Sequence, residues 1–251
     1  MLTFFISGVG GANYWSLVAF WPLECQMLYG PDAMKVAVDV LPFAFSTSLG
    51  VILVNMCISW FQGSIRELLT ICSCMMTAGV GGLASVTQNT PSVGMGMSFL
   101  GGIGIGGITQ PAATMLTIVS PDEIIATVTA ATISVRLIGA TIGYAIYFNV
   151  LQNSVLNLST IVSAAAIKAG LPSTDLPPFL DAILGQNNTA LQQFSVSVVA
   201  AAQAAFKDTY VEGFKKVYLV SISFGGSAII ACLFLGNIRK YMVDRVAVDI
   251  H

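Results

Sequence analysis

Apolar residues run along this chain in blocks, each broken by only a few polar positions, and the blocks match the roughly 20 residues a helix needs to cross a bilayer of about 30 Å. They predict six membrane-spanning helices over residues 2–22, 40–61, 68–86, 93–119, 121–151 and 217–238. Between the fifth and the sixth lies a long segment, 152–216, which holds Pro172, Pro177, Pro178 and most of the remaining charge. It reads as an outer loop with short helices, including an amphipathic alanine-rich stretch from Ala190 to Phe206, and 239–251 reads as a tail. The predicted fold class is an all-α membrane protein, six transmembrane helices forming one bundle.

The fifth block is the most telling. Ser120, Pro121, Asp122 and Glu123 have the spacing of an N-cap, first turn and capping box, which predicts a sharp helix start. Beyond Glu123 the next charged residue is Arg136, halfway along the span, and none follows until Lys168. A guanidinium at that depth costs about 2.5–3.5 kcal/mol on insertion scales, so it should face protein or a wet cavity. Thr132, Arg136, Gly139, Ala140, Gly143 and Tyr147 recur at helical spacing and define that face. Arg136 either lines a substrate path or ties the helix to carbonyls of another.

Other spans carry polar residues too. Asn13, Tyr14 and Trp15 interrupt the first, which Trp21 and Pro22 are expected to close at an interface. Glu24–Asp39 then reads as a loop with a turn at Gly30-Pro31. The fourth span contains GGIGIGGITQP. Gly102, Gly104 and Gly107 fit G-x-G-x-x-G, but no strand precedes them, so the glycines are not a dinucleotide site. Gly102 and Gly106, like Gly139 and Gly143, instead predict close helix approach, and Pro111 beside Gln110 can bend the helix.

Composition agrees: 55% of residues are hydrophobic and 9% charged, against about 25% charged in soluble domains. Mean hydropathy is +0.82. Net charge is −2 with no basic tract, so nucleic acid is not an expected partner. The five cysteines have no metal-ligand spacing and read as packing residues, and the single histidine is the last residue. No catalytic set, metal site or cofactor is therefore expected, and the chain is not read as an enzyme. Parity places both ends on one side with Arg66, Arg239, Lys240 and Arg245, expected to be cytoplasmic. The sequons at Asn157 and Asn187 then fall outside. Met1 is followed directly by an apolar run without a positive flank, as though the chain began inside a larger protein.

Six spans also make up one half of a major facilitator transporter. The run GGIGIGGITQPAATMLTIVSPDEIIATVTAATISVRLIGATIGYAIYFNVLQNSV, with VYLVSISFGGSAIIACLFLGNIRKYMVDRVAVDIH at the end, resembles the C-terminal portion of fungal major facilitator proteins of the trichothecene efflux pump and siderophore transporter group. The resemblance implies a multi-pass protein of the plasma or vacuolar membrane that moves small organic molecules on the proton gradient. It also implies a missing partner, either an N-terminal half or a second copy. Arg136, Gln110, Tyr144, Tyr147, Asn13 and Tyr14 are the expected substrate path. No Asp or Glu is expected in mid-span, since Glu24, Asp39, Asp122 and Glu123 fall at ends or in loops. A reading of another class is a truncated, non-transporting membrane protein that is inert or modulates a full-length relative.

Overall fold

The computed structural model describes residues 1–30, 32–60, 65–185 and 188–236, and the regular structure among them is all helical. Among the described residues, five stretches are long and apolar enough to cross a membrane: 33–60, 65–85, 91–119, 125–168 and 196–233. The first predicted span forms α1 (Leu2–Trp15), a π-helical turn (Ser16–Phe20) and α2 (Trp21–Tyr29), which follow one another without a break. The π turn divides this rod, so no one of its pieces has spanning length.

Pro22 does not end the helix as expected. It lies in the first turn of α2, directly after the π turn, where regular helical pairing is already interrupted. Trp21 is no interfacial anchor either: it is fully buried, its Nε1 donating to the Asp39 carbonyl at 3.2 Å. The expected Glu24–Asp39 loop is mostly helical, with α2 running to Tyr29 and the next helix starting at Ala33. Gly30, with φ +117° and ψ 163°, adopts a conformation open essentially to glycine alone, and α3 (Ala33–Trp60) follows.

α4 (Ile65–Gly82) and α5 (Pro91–Val119) come next, and α5 continues through Pro111. Ser120 does not cap the helix after it. Its Oγ donates to the Leu116 carbonyl at 2.7 Å, closing the end of α5, because a hydroxyl beside a finished turn can serve the orphan carbonyl behind it. A short 3₁₀ turn then leads into α6 (Ile125–Val155), with no side-chain cap.

Beyond α6 come α7 (Leu158–Lys168), α8 (Leu176–Leu184), α9 (Asn188–Leu191) and α10 (Val196–Leu233). α7 closes with paired bonds from Gly170 N–H to the Ile167 carbonyl and from Leu171 N–H to the Ala166 carbonyl, both 3.0 Å, with Gly170 at φ +103°. α10 begins at Val196, well before 217. Lys207, Asp208, Glu212, Lys215 and Lys216 lower the hydropathy there without lowering helix propensity, so charge marks where the chain leaves an apolar layer and the helix runs on.

The packing has an internal symmetry. α3 lies against α5 as α6 lies against α1, and α4 lies against α5 as α10 lies against α1; α1 also meets α5, and α4 meets α10. Exchanging α1, α3 and α4 for α5, α6 and α10 reproduces these pairs, the pattern of a three-plus-three repeat. α6–α10 contact is not matched by an equally extensive one between α3 and α4. The main core gathers Ile6, Trp21, Leu69, Met76, Ile105, Tyr147, Phe214 and Tyr218. A second, separate core joins Val162, Ala166, Phe179, Ile183, Val198 and Ala202, so α7–α9 and the first turns of α10 make a cap with its own interior. α3 and α6 leave large apolar side chains exposed, among them Leu41, Phe45, Ile52, Ile138 and Ile142, as a surface against hydrocarbon would.

Candidate functional site

Small residues let α1 and α6 close on each other. A Cβ at Gly139 would strike the backbone of Gly8, and one at Gly143 would strike Ala12, so neither position admits a larger side chain without moving a helix. Gly102 and Gly106 sit equally tight against α3, at Ser46 and the Thr47 carbonyl. Gly104 and Gly107 of the glycine-rich run face Met76 and Cys72 of α4.

The α1–α6 seam encloses polar atoms. Tyr147 Oη donates to Asn13 Oδ1 at 3.0 Å, and both residues are fully buried. Arg136, half-buried, donates from Nη2 to the carbonyl of Thr109 on α5. Three buried side-chain atoms in this region make no hydrogen bond among the described residues: Ser7 Oγ, Asn13 Nδ2 and Arg136 Nε. Groups of this kind are costly in a dry interior and are normally met by water or a ligand.

Beside the seam lies an open aromatic surface. Tyr144 is 41% exposed; its ring meets Trp15 edge-on at 6.1 Å, stacks on Phe148 at 6.0 Å and leans on Phe20 at 5.8 Å. Tyr14 is also exposed, 6.1 Å from Phe43. Gln110, next to the Thr109 carbonyl, is exposed on α5. The six candidate residues thus divide: Asn13 and Tyr147 form a buried pair, Arg136 a half-buried tie, and Tyr14, Gln110 and Tyr144 stand open.

One site was not anticipated. Glu24, expected at a loop, is 1% exposed and accepts a hydrogen bond from Tyr218 Oη at 2.7 Å, across from α2 to α10. The signal was the spacing of Trp21, Glu24, Cys25 and Leu28, one helical face, all of it buried. Asn157 is exposed at the head of α7, while Asn187 lies outside the described residues. The cysteines are free thiols; Cys25, Cys72 and Cys232 are buried, and Cys232 Sγ lies 3.2 Å from Ser73 Oγ.

The arrangement offers flat apolar contact, amides and one positive charge on an otherwise apolar helical scaffold, which suits recognition of organic molecules. The model of the fungal trichothecene efflux pump family (TRI12) matches residues 1–251. The chain belongs to that family. A stretch of 112 residues of this efflux-pump family chain is 32% identical to the MFS-type transporter prx5 of Penicillium rubens. That stretch is 44% of this chain and 20% of the relative, so the chain matches about a fifth of the curated protein's length. Family and apolar helices together make it an integral, multi-pass membrane protein.

Proposed function

We propose that this efflux-pump family chain forms the C-terminal half-bundle of a secondary active transporter for small organic molecules of the toxin, drug or siderophore type, coupled to protons. Leu2–Tyr29 serves as the sixth span, and a preceding half or a second copy completes the path. The plasma or vacuolar membrane is its place. Arg136, Gln110, Tyr144, Tyr147, Asn13 and Tyr14 line or support the route. The observation that carries this reading is the exposed Trp15–Tyr144–Phe148 row standing directly beside a seam that holds unpaired Asn13 and Arg136 atoms.

The roles differ with burial. Tyr144 and Tyr14 supply ring faces to an organic substrate, and Gln110 supplies an amide. Arg136 fixes α6 to α5 through the Thr109 carbonyl and keeps positive charge near the route. Asn13 and Tyr147 hold the wall in register.

The test is efflux of a fluorescent aromatic drug from cells producing the full-length protein. An aromatic contact contributes about 0.5–1.5 kcal/mol, so Tyr144→Ala should slow efflux several-fold, up to about tenfold. Arg136→Ala should lower it further, with membrane insertion intact in both. Efflux equal to wild type in both variants would remove these residues from the path.

A further inference from the structure

We propose that Glu24 is a proton-binding site at the cap end of the bundle, holding its proton while the α2–α10 contact is closed and releasing it when that contact opens. Its carboxyl group is buried, and its hydrogen-bond donor is a neutral phenol, Tyr218, itself fully buried. Among the described residues, the groups around it offer no compensating cation. On its own helix the neighbours are Cys25 and Tyr29. Across on α3 stand Asp39 and Lys35, and Lys35 acts on Asp39. On α10, Lys215, Lys216 and Glu212 are exposed. An ionised carboxylate in such a place is strongly disfavoured, so the closed contact selects the neutral acid.

Release has a mechanical route. The π turn Ser16–Phe20 separates α2 from α1, and π turns are local departures from α-helical pairing that recur at functional sites. The rod is fastened on both sides of this turn, by Asn13–Tyr147 to α6 before it and by Glu24–Tyr218 to α10 after it. Movement of α2 about the turn exposes the carboxyl group to water, the O–H bond of Glu24 breaks, and the proton passes to water. The carboxylate left behind cannot return to the closed contact without taking a proton back. Binding one proton and closing α2 on α10 are therefore one event.

The inference deepens the proton-coupled reading above and depends on it only for the link to transport. It is tested on the purified chain in lipid nanodiscs by infrared spectroscopy near pH 7, where exposed carboxyls, which titrate at about 4, are ionised. Wild type should show the carbonyl band of a protonated carboxyl group, retained in Asp39→Asn and lost in Glu24→Gln, an isosteric change that still accepts the Tyr218 bond. Tyr218→Phe should keep the band at higher frequency, since the carbonyl has lost a donor. Fluorescence of Trp21, one turn away, should follow a single pH-dependent step in a Trp15→Phe/Trp60→Phe background and stay flat once Glu24→Gln is added. Absence of the band in wild type, or its persistence in Glu24→Gln, overturns the site. The band with no efflux by the full-length protein would sink the transport reading and leave the proton site standing.

Discussion

Tyr147 and Asn13 share a buried hydrogen bond that uses one end of the amide and leaves Nδ2 without a partner. Removing the phenol oxygen leaves the whole Asn13 side chain unmatched, and a stranded buried group costs about 1–3 kcal/mol. Tyr147→Phe should therefore lower the thermal midpoint in nanodiscs. Adding Asn13→Leu should recover most of the loss, because a pair removed together strands nothing. A double variant less stable than Tyr147→Phe would show that the amide is satisfied by something else. At this scale the chain was legible where chemistry is rare. A lone charge, Arg136, and a lone amide, Asn13, in apolar runs mark buried polar positions before any fold is known. Glu24 escaped because Pro22 stands two residues before it and the hydropathy falls there, both signs of an ending; in the fold that proline starts a helical turn. Ser120 escaped for a related reason, since a hydroxyl between two helices can serve either one, and it serves the one behind.

Between elements, contact distance is set by the smallest residues at each crossing. Gly139 and Gly226 have the same side chain and opposite surroundings: a Cβ on the first strikes the Gly8 backbone, while one on the second meets nothing within 4 Å. Gly139→Ala should push α6 off α1 and destabilise the bundle by about 1–3 kcal/mol, as overpacking does. Gly226→Ala, in mid-helix α10, should be neutral or stabilising by up to about 1 kcal/mol. Detergent-resistance midpoints of the two variants measure this directly, and an equal response would deny that the α1–α6 seam is tight. Small-residue spacing along one helix was readable in the sequence; which neighbour each glycine meets was not, since that depends on how the helices are arranged around one another. Helix ends were harder still, as Val196 shows for α10, because membrane depth and helix length are separate quantities that hydropathy reports as one.

Across the whole molecule two interiors coexist, one in the bundle and one in the cap, joined where Met27 and Tyr210 pack against the second. Phe179 is fully buried in the cap core and meets Phe194 edge-on at 5.0 Å. Phe179→Ala should cost about 3–5 kcal/mol, and the loss should stay local. Hydrogen exchange should rise across α7–α9, with α4 and α5 still protected. Uniform loss of protection would mean that the cap and bundle fold as one unit. Proline-rich and charged, the cap segment looked like connecting chain with scattered helices; its separate core gathers residues as distant in the chain as Val162 and Val198, which periodicity within any one helix does not reveal.

α10 passes through both interiors as a single helix of 38 residues, about 57 Å from end to end. Such a shaft magnifies small tilts: about 10° at the bundle end sweeps the other end through about 10 Å. A label on the outward side of the cap would register rearrangements deep between the other helices, and an antibody fragment that immobilised the cap would act as a brake on them.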